Sequence, residues 1–426
     1  MNVPRLRFKD VNGREFPEWE KKTIEELVNS KIILKPLDGN HGELHPKSSD
    51  YVDMGIPFIM ANDIRNNVVD IEGAKKISKT QADELQKGFS LEGDVLLTHK
   101  GSVGFVAIVP KLSSDYIMLT PQVTYYRIVN KQKLSNKFLV NYFISPGFQK
   151  EFLLLSGGGT RAYLGITEQR NLKVHIPCIS EQTKIANFLT AIDEKITQLT
   201  QKHDLLKQYK KGAMQQIFSQ KLRFKDDDGR EFSEWEEKEL GDVYDITSSK
   251  RVFQNEWTKT GVPFYRAREV VKLSEKGYVQ NELFISTDMY HEYKSKYGVP
   301  KKDDLLVTGV GTIGKLYVVK EEEEFYFKDG NIIWLKTFNI ANSQFIKQLF
   351  QSRIVQKQIE DNASITTVGT YTIDSAKKTS IPFPALKEQT KIANFLTAID
   401  DKITHTQTQL DAVKQYKKGL LQQLFV

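Results

Sequence analysis

The residues most suggestive of chemistry are the glycines and lysine of GVGTIGKL at 309–316. The run satisfies the GxGxxG of a dinucleotide fold and the GxxxxGK of a phosphate loop. A phosphate loop needs Ser or Thr after its lysine to ligate magnesium, but Leu316 follows Lys315. Both motifs also need a helix after the glycines, so that its N-terminus faces phosphate. Here the run continues as KLYVV, which reads as a strand. In the matching stretch HKGSVGFV, His99 and Phe105 break the pattern. A strand–turn–strand hairpin without a nucleotide is therefore expected at both places.

Other candidate chemistry is equally thin. His41 and His45 in HGELH have the i,i+4 spacing of a metal pair, but they lie between Gly39 and Pro46 with no third ligand nearby, which reads as a solvated loop. The seven histidines and the single cysteine, Cys178, form no zinc-type cluster, and one cysteine fits a reducing cytoplasm without a disulfide framework. No Gly-x-Ser-x-Gly elbow is present, nor an Asn/Asp-Pro-Pro-aromatic run of the kind adenine methyltransferases use. The acidic run Glu321–Glu324 reads as a solvated turn. The chain is expected to be non-catalytic by itself, with no cofactor and no metal.

The 426 residues suffice for two or three domains with proper cores. Hydrophobic content of 39% and charged content of 27% fit a soluble globular protein. No apolar run approaches a membrane span, and MNVPRLRFKD carries no apolar signal core. A net charge of +7 is a mild basic bias, compatible with a polyanionic partner.

The organising feature is an internal repeat. EQTKIANFLTAID at 181–193 returns letter for letter at 388–400, and KQYKKG at 207–212 returns in phase at 414–419. LRFKDVNGREFPEW at 6–19 returns as LRFKDDDGREFSEW at 222–235. The second copy of that segment follows the first repeated helix, and the second helix ends the chain, so the repeat is circular. A pseudo-twofold arrangement with neighbouring termini is the expected closure.

Read as helices, the copies place Ile185, Leu189, Ile192, Ile196, Leu199, His203, Leu206, Lys210, Ala213 and Ile217, and correspondingly Ile392 to Leu424, at alternating steps of four and three. That spacing, held over about five heptads, is a coiled-coil seam. Each helix should be about 38 residues, or roughly 57 Å, long. An antiparallel pairing of the two copies is expected.

The intervening segments, about 20–176 and 236–381, differ strongly but keep landmarks in order. Gly55-Ile56-Pro57-Phe58 answers to Gly261-Val262-Pro263-Phe264. Asp94–Thr98 with Gly101 and Gly104 answers to Asp304–Thr308 with Gly311 and Gly314. Gly159-Thr160 answers to Gly369-Thr370, and Ile176-Pro177 to Ile381-Pro382, leaving two extra residues in PFPALKEQ against PCISEQ. β-branched runs between these turns read as strands, with amphipathic helices packed on them. The expected fold class is α/β (α+β), two pseudo-twofold-related domains joined by long antiparallel coiled-coil helices. The expected division is an N-terminal repeat segment 1–19, a first domain 20–180, a central helix 181–221, a second domain 222–387 and a distal helix 388–426.

This arrangement, and above all Glu181-Gln182 and Glu388-Gln389 leading their helices, resembles the specificity subunit of type I restriction–modification systems over essentially the whole chain. The resemblance implies two target recognition domains, each reading half of a bipartite, asymmetric site in double-stranded DNA. It implies repeated helices that set the spacer and dock two methyltransferase subunits for adenine methylation, joined by restriction subunits, in the cytoplasm and without a membrane. A tandem scaffold binding protein or carbohydrate through its two domains is the competing reading. The two separate on salt dependence, which counterion release makes steep for DNA.

Base readout favours Arg, Lys, Asn and Gln near exposed loop and strand ends. The first domain is expected to use Asn62, Arg65, Lys100, Arg161 and Tyr163, and the second Lys250, Arg251, Arg266, Arg268 and Tyr371. Partner docking is expected at solvent-facing Glu181, Gln182, Lys184 and their equals Glu388, Gln389, Lys391. N-capping by the glutamates competes with that role.

Overall fold

The computed structural model describes residues 4–157, 162–280, 283–320, 323–363 and 369–425. Gly159, Thr160 and Arg161 of the expected loop, and Glu321 and Glu322 of the acidic run, lie outside the described residues.

The repeated stretches are helices of 40 and 39 residues, Ile179–Phe218 and Leu386–Leu424. Each starts two residues before its Glu-Gln pair. The expected seam is buried or half-buried at every position named for the first copy, including the polar His203 and Lys210. The chain folds as two compact units: Met1–Thr200 with Thr408–Val426, and Gln201–Gln407. Each unit therefore takes the N-terminal half of one long helix and the C-terminal half of the other. Within the first unit, Lys417 Nζ meets Asp193 Oδ1 at 2.6 Å, and Ile185 and Leu189 share a core with Leu420 and Leu424. Within the second, Lys210 Nζ meets Asp400 Oδ1 at 2.7 Å. The circular repeat is closed by Leu6 N, which donates to Gln423 O at 3.0 Å inside the first unit.

The sheets repeat as well. In the first unit Glu20–Thr23 pairs antiparallel with Lys173–Ile176, and in the second Glu236–Glu239 pairs with Ser380–Phe383. The registers, Glu20 opposite Ile176 and Glu236 opposite Phe383, correct the alignment expected from sequence. Ile176-Pro177 matches Phe383-Pro384, not Ile381-Pro382, and no residues are inserted before the second helix. The Gly-x-Pro-Phe landmarks form strands Ile56–Ile59 and Val262–Tyr265, each with a parallel neighbour, Ile117–Leu119 or Tyr326–Phe327. Their glycines are required by close backbone approach. A Cβ on Gly55 would lie 2.2 Å from Ile77 O, and one on Gly261 2.2 Å from Ile285 O.

The glycine–lysine decoy is a hairpin, as expected. Leu305–Thr308 pairs antiparallel with Leu316–Val318, and Val95–Thr98 with Val106–Ile108. Thr308 Oγ1 accepts from Lys315 N at 3.0 Å, and Thr98 Oγ1 from Phe105 N at 2.9 Å, so the threonine after the apolar run clamps its own turn. Each hairpin is backed by a glutamine that sequence comparison passed over. Gln149 Nε2 donates to Phe143 O at 2.6 Å, and Gln356 Nε2 to Phe350 O at 2.5 Å.

Candidate nucleic-acid interface

What fixes each α/β domain on its long helix is the Glu-Gln pair. Glu181 is fully buried, not solvent-facing as expected, and so are Gln182, Glu388 and Gln389. Arg7 forks onto Glu181, Nε to Oε1 at 3.0 Å and Nη2 to Oε2 at 2.7 Å, and Trp19 Nε1 adds a third donor at 3.2 Å. The second unit repeats this with Arg223 Nε and Nη2 at 3.3 and 3.0 Å from Glu388 and Trp235 Nε1 at 2.9 Å. The bond to the glutamate raises the pKa of each arginine further above its ordinary value. These arginines and tryptophans bound the repeated segments 6–19 and 222–235, so the two conserved-looking stretches are two sides of one bonded joint.

The glutamines tie the helix to the domain. Gln182 Oε1 accepts from Ser135 N at 2.9 Å, and Nε2 donates to Lys133 O and Pro177 O at 2.9 and 2.8 Å. Gln389 accepts from Asn342 N at 2.9 Å and donates to Pro384 O at 2.8 Å. Lys184 and Lys391 are half-buried and donate to Lys9 O and Lys225 O at 2.6 and 2.7 Å. Buried charge needs paired and hydrogen-bonded partners, and intramolecular donors and acceptors supply them here. The four Glu-Gln residues cannot themselves be an exposed docking surface.

In the first unit, three distant segments converge on one surface. Ala61 N donates to Gln122 Oε1 at 3.3 Å, His99 N to Gln122 O at 2.9 Å, and Leu164 N to His99 O at 3.0 Å. Lys100 and Tyr163 form an isolated bridge between two of these segments. The network brings the exposed Asn62, Lys100 and Tyr163 to one end of the strands. Arg65 is carried beside them on a tight hairpin, Ile64–Arg65 against Val68–Val69. Asn66 and Asn67 turn it with φ of 52° and 63°, the left-handed pair that a two-residue hairpin demands. Their exposed amides extend the candidate readers, and the Asn-Asn dipeptide was the sequence signal for them. His41 Nε2 bonds Asp38 Oδ2 at 2.8 Å, and His45 packs its ring 5.5 Å from that of Phe58. Among the described residues no group of His, Cys, Asp or Glu is arranged to hold a metal ion.

The second unit builds the same surface with other side chains. Gly309 N donates to Asn331 O at 2.9 Å, and Tyr371 N to Gly309 O at 2.8 Å, as His99 and Leu164 do in the first unit. Val310 bridges Thr370 where Lys100 bridges Tyr163. Tyr371 therefore matches Leu164, one residue beyond Tyr163, and successive residues of an extended strand point to opposite faces. The expectation for Tyr371 is corrected accordingly. Its ring is 2% exposed, its hydroxyl lies 2.6 Å from Thr379 Oγ1, and burial pushes its pKa up to about 12. Tyr163, by contrast, is 50% exposed. Lys250 is exposed, with Nζ 5.5 Å from the Tyr297 ring centre, and exposed Arg251 pairs with Asp329 at 2.8 Å. Arg266 and Arg268 flank buried Glu269. Lys328, whose N–H bonds Tyr265 O at 2.8 Å, stands beside Arg266 and was not anticipated.

A duplicated α+β chain with two strand-end surfaces, alike in backbone and unlike in side chains, is the class of molecule so defined. The family model for the type I restriction modification DNA specificity domain matches residues 17–208 and 232–415, and the chain belongs to that family. A putative type I restriction enzyme specificity subunit of Haemophilus influenzae is 28% identical over 382 residues, covering 87% of this chain and 88% of its own length. The MjaVIII specificity subunit of Methanocaldococcus jannaschii is 25% identical over 435 residues, 97% and 94% of the two chains. The fold is that of the type I restriction–modification S subunit from M. genitalium, with a TM-score of 0.59 at 17% identity over 100% of this chain and 99% of that one.

Proposed function

We propose that this chain is the DNA-specificity subunit of a type I restriction–modification complex, with each unit reading one half of a bipartite, asymmetric site. The observation that carries the reading is the divergence of side chains on a repeated backbone. Asn62, Lys100 and Tyr163 at one strand end are replaced by Arg268, Val310 and Thr370 at the other, while the hydrogen bonds that place them recur. A strand end placed by the same backbone hydrogen bonds but carrying different side chains is what two different readers need. Asn62, Arg65, Lys100, Tyr163 and, by sequence alone, Arg161 serve the first half-site, and Lys250, Arg251, Arg266 and Arg268 the second.

Catalysis belongs to other subunits in this reading. Two methyltransferase subunits dock on the repeated helices near Lys184 and Lys391, and restriction subunits join them. The buried Glu-Gln joints transmit no chemistry but fix each domain to its helix, so helix length sets the spacer. Among the described residues no helix is long and apolar enough to cross a membrane.

The test is binding of the chain, assembled with its methyltransferase subunits, to the site identified by methylation. Affinity should fall steeply and log-linearly with salt, and a scrambled half-site should cost at least about a hundredfold. Weak dependence on salt with no preference between sites would favour a protein-binding scaffold.

A further inference from the structure

The turn at Asn66-Asn67 places two successive non-glycine residues in the left-handed region, with φ of 52° and 63°. A two-residue hairpin demands that geometry, and its second place is ordinarily glycine because a Cβ disfavours it. Asparagine tolerates the conformation chiefly when its short amide bonds the nearby backbone. Here it does not. Among the described residues the side chains of Arg65, Asn66 and Asn67 have no hydrogen bond or ion pair, and all three are exposed. The fold gains nothing from these amides, yet the hairpin that carries them is firmly seated. Ile64 and Val69, opposite each other across it, are 0% and 5% exposed in a core with Ala107 and Val109. At its open end Asp70 N donates to Asp63 O at 2.8 Å, and Asp63 Oδ2 accepts from Met60 N at 2.8 Å where the chain enters. Strand alternation then puts Arg65 and Val68, the latter 61% exposed, on the outer face. In the second unit a helix replaces the hairpin. Glu269 Oε2 accepts from Arg266 N as Asp63 does from Met60 N, but the chain there runs on as helix Ala267–Lys276.

We propose, resting on the specificity-subunit reading, that this hairpin is a base-reading probe of the first unit. It enters the major groove of the first half-site, where the Asn66 and Asn67 amides read an adenine and Val68 meets a thymine methyl group. Two strands about 4.8 Å apart, with side chains on both sides, exceed a minor groove about 6 Å wide but fit a major groove of about 12 Å. An asparagine amide donates to adenine N7 and accepts from N6, a pair of groups that no other base presents on its major-groove edge. A branched apolar side chain beside it fits the thymine methyl, so tip and flank together match A·T. Arg65, on the same outer face as Val68, supplies positive charge for a neighbouring phosphate. A glycine at Asn67 would relieve the left-handed backbone, so the amide there serves a contact outside the chain.

The test places 7-deazaadenine, which lacks N7, at each adenine of the mapped site in turn, and measures binding by the chain assembled with its methyltransferase subunits. At one or more adenines of a single half-site the wild-type complex should bind about tenfold more weakly. Gly-Gly suits the turn, so N66G/N67G should keep its melting temperature and its non-specific binding. That variant should bind modified and unmodified DNA equally at the sensitive adenine, with its preference for A·T over G·C there narrowed about tenfold. The hairpin's role is overturned if no adenine is sensitive, if the sensitivity survives in N66G/N67G, or if that variant loses stability or weakens on all DNA alike. A complex that prefers no sequence would sink the specificity reading itself. One that discriminates between sites yet tolerates 7-deazaadenine everywhere refutes the hairpin alone.

Discussion

Replacing Arg7 with alanine should destabilise the first unit by about 3–4 kcal/mol. The carboxylate left behind, Glu181, is fully buried, and Trp19 Nε1 remains as its donor. Stranding a buried charge typically costs about 3–5 kcal/mol. The Arg7 side chain is 13% exposed, so water can enter and the lower end applies. The bond from Arg7 Nη2 to Pro17 O, 2.7 Å long, is lost as well, adding about 1 kcal/mol at most. R7K keeps the charge but not the fork, and should recover roughly half of the loss. Trp19 is the one tryptophan in its unit, since Trp235, Trp257 and Trp334 fall in the other. Labelling with 5-fluorotryptophan therefore lets the Trp19 resonance report unfolding of the first unit in urea. A shift of about 1 M or more in its midpoint is expected for R7A. A change under about 0.5 kcal/mol, the level of an exposed ion pair, would refute the view that this joint holds the domain to the helix.

The same reasoning ranks other substitutions. Lys417 is 11% exposed at its side chain and Asp193 49%, so D193A, which strands the buried ammonium, should cost about 2 kcal/mol and K417M less than about 1 kcal/mol by urea denaturation. Y371F should lose about 1–2 kcal/mol of stability without altering DNA affinity, and Y163A should do the reverse; equal effects on affinity would contradict the one-residue offset. His99 is buried, which lowers its pKa from 6.5 to about 4. Between those values the unfolded chain binds the extra proton, so stability is full above pH 6.5 and falls as pH drops, by about 2 kcal/mol at pH 5. H99N should remove that part of the slope in paired denaturation curves at pH 7.5 and 5.

The long helices were legible because burial along a helix imposes a period, and polar seam residues such as His203 and Lys210 did not disturb it. The turns were legible because glycine answers to backbone geometry, as at Gly55 and Gly261. Side-chain roles were less so. Glu181 and Glu388 looked like surface charge because their partners, Arg7 with Trp19 and Arg223 with Trp235, lie more than a hundred and fifty residues away in sequence. The repeated segments 6–19 and 222–235 contained the missing half of the joint, but nothing in their composition says where they dock. Tyr371 was misplaced by one residue, and in extended chain one residue is the difference between core and surface. The sequence shows Arg266 and Arg268 as cations beside the Gly-x-Pro-Phe strand, whereas the bonds of Glu269 to both depend on rotamers that no spacing rule encodes.

Long-read mapping of adenine methylation, in the host with and without this chain, bears most directly on its role as a sequence reader. A split motif with two unlike halves should lose methylation on both strands when the chain is removed, and should reappear in a clean host given the chain and its methyltransferase. A map unchanged by removal, followed by no methylation in the reconstituted host, would contradict the assignment.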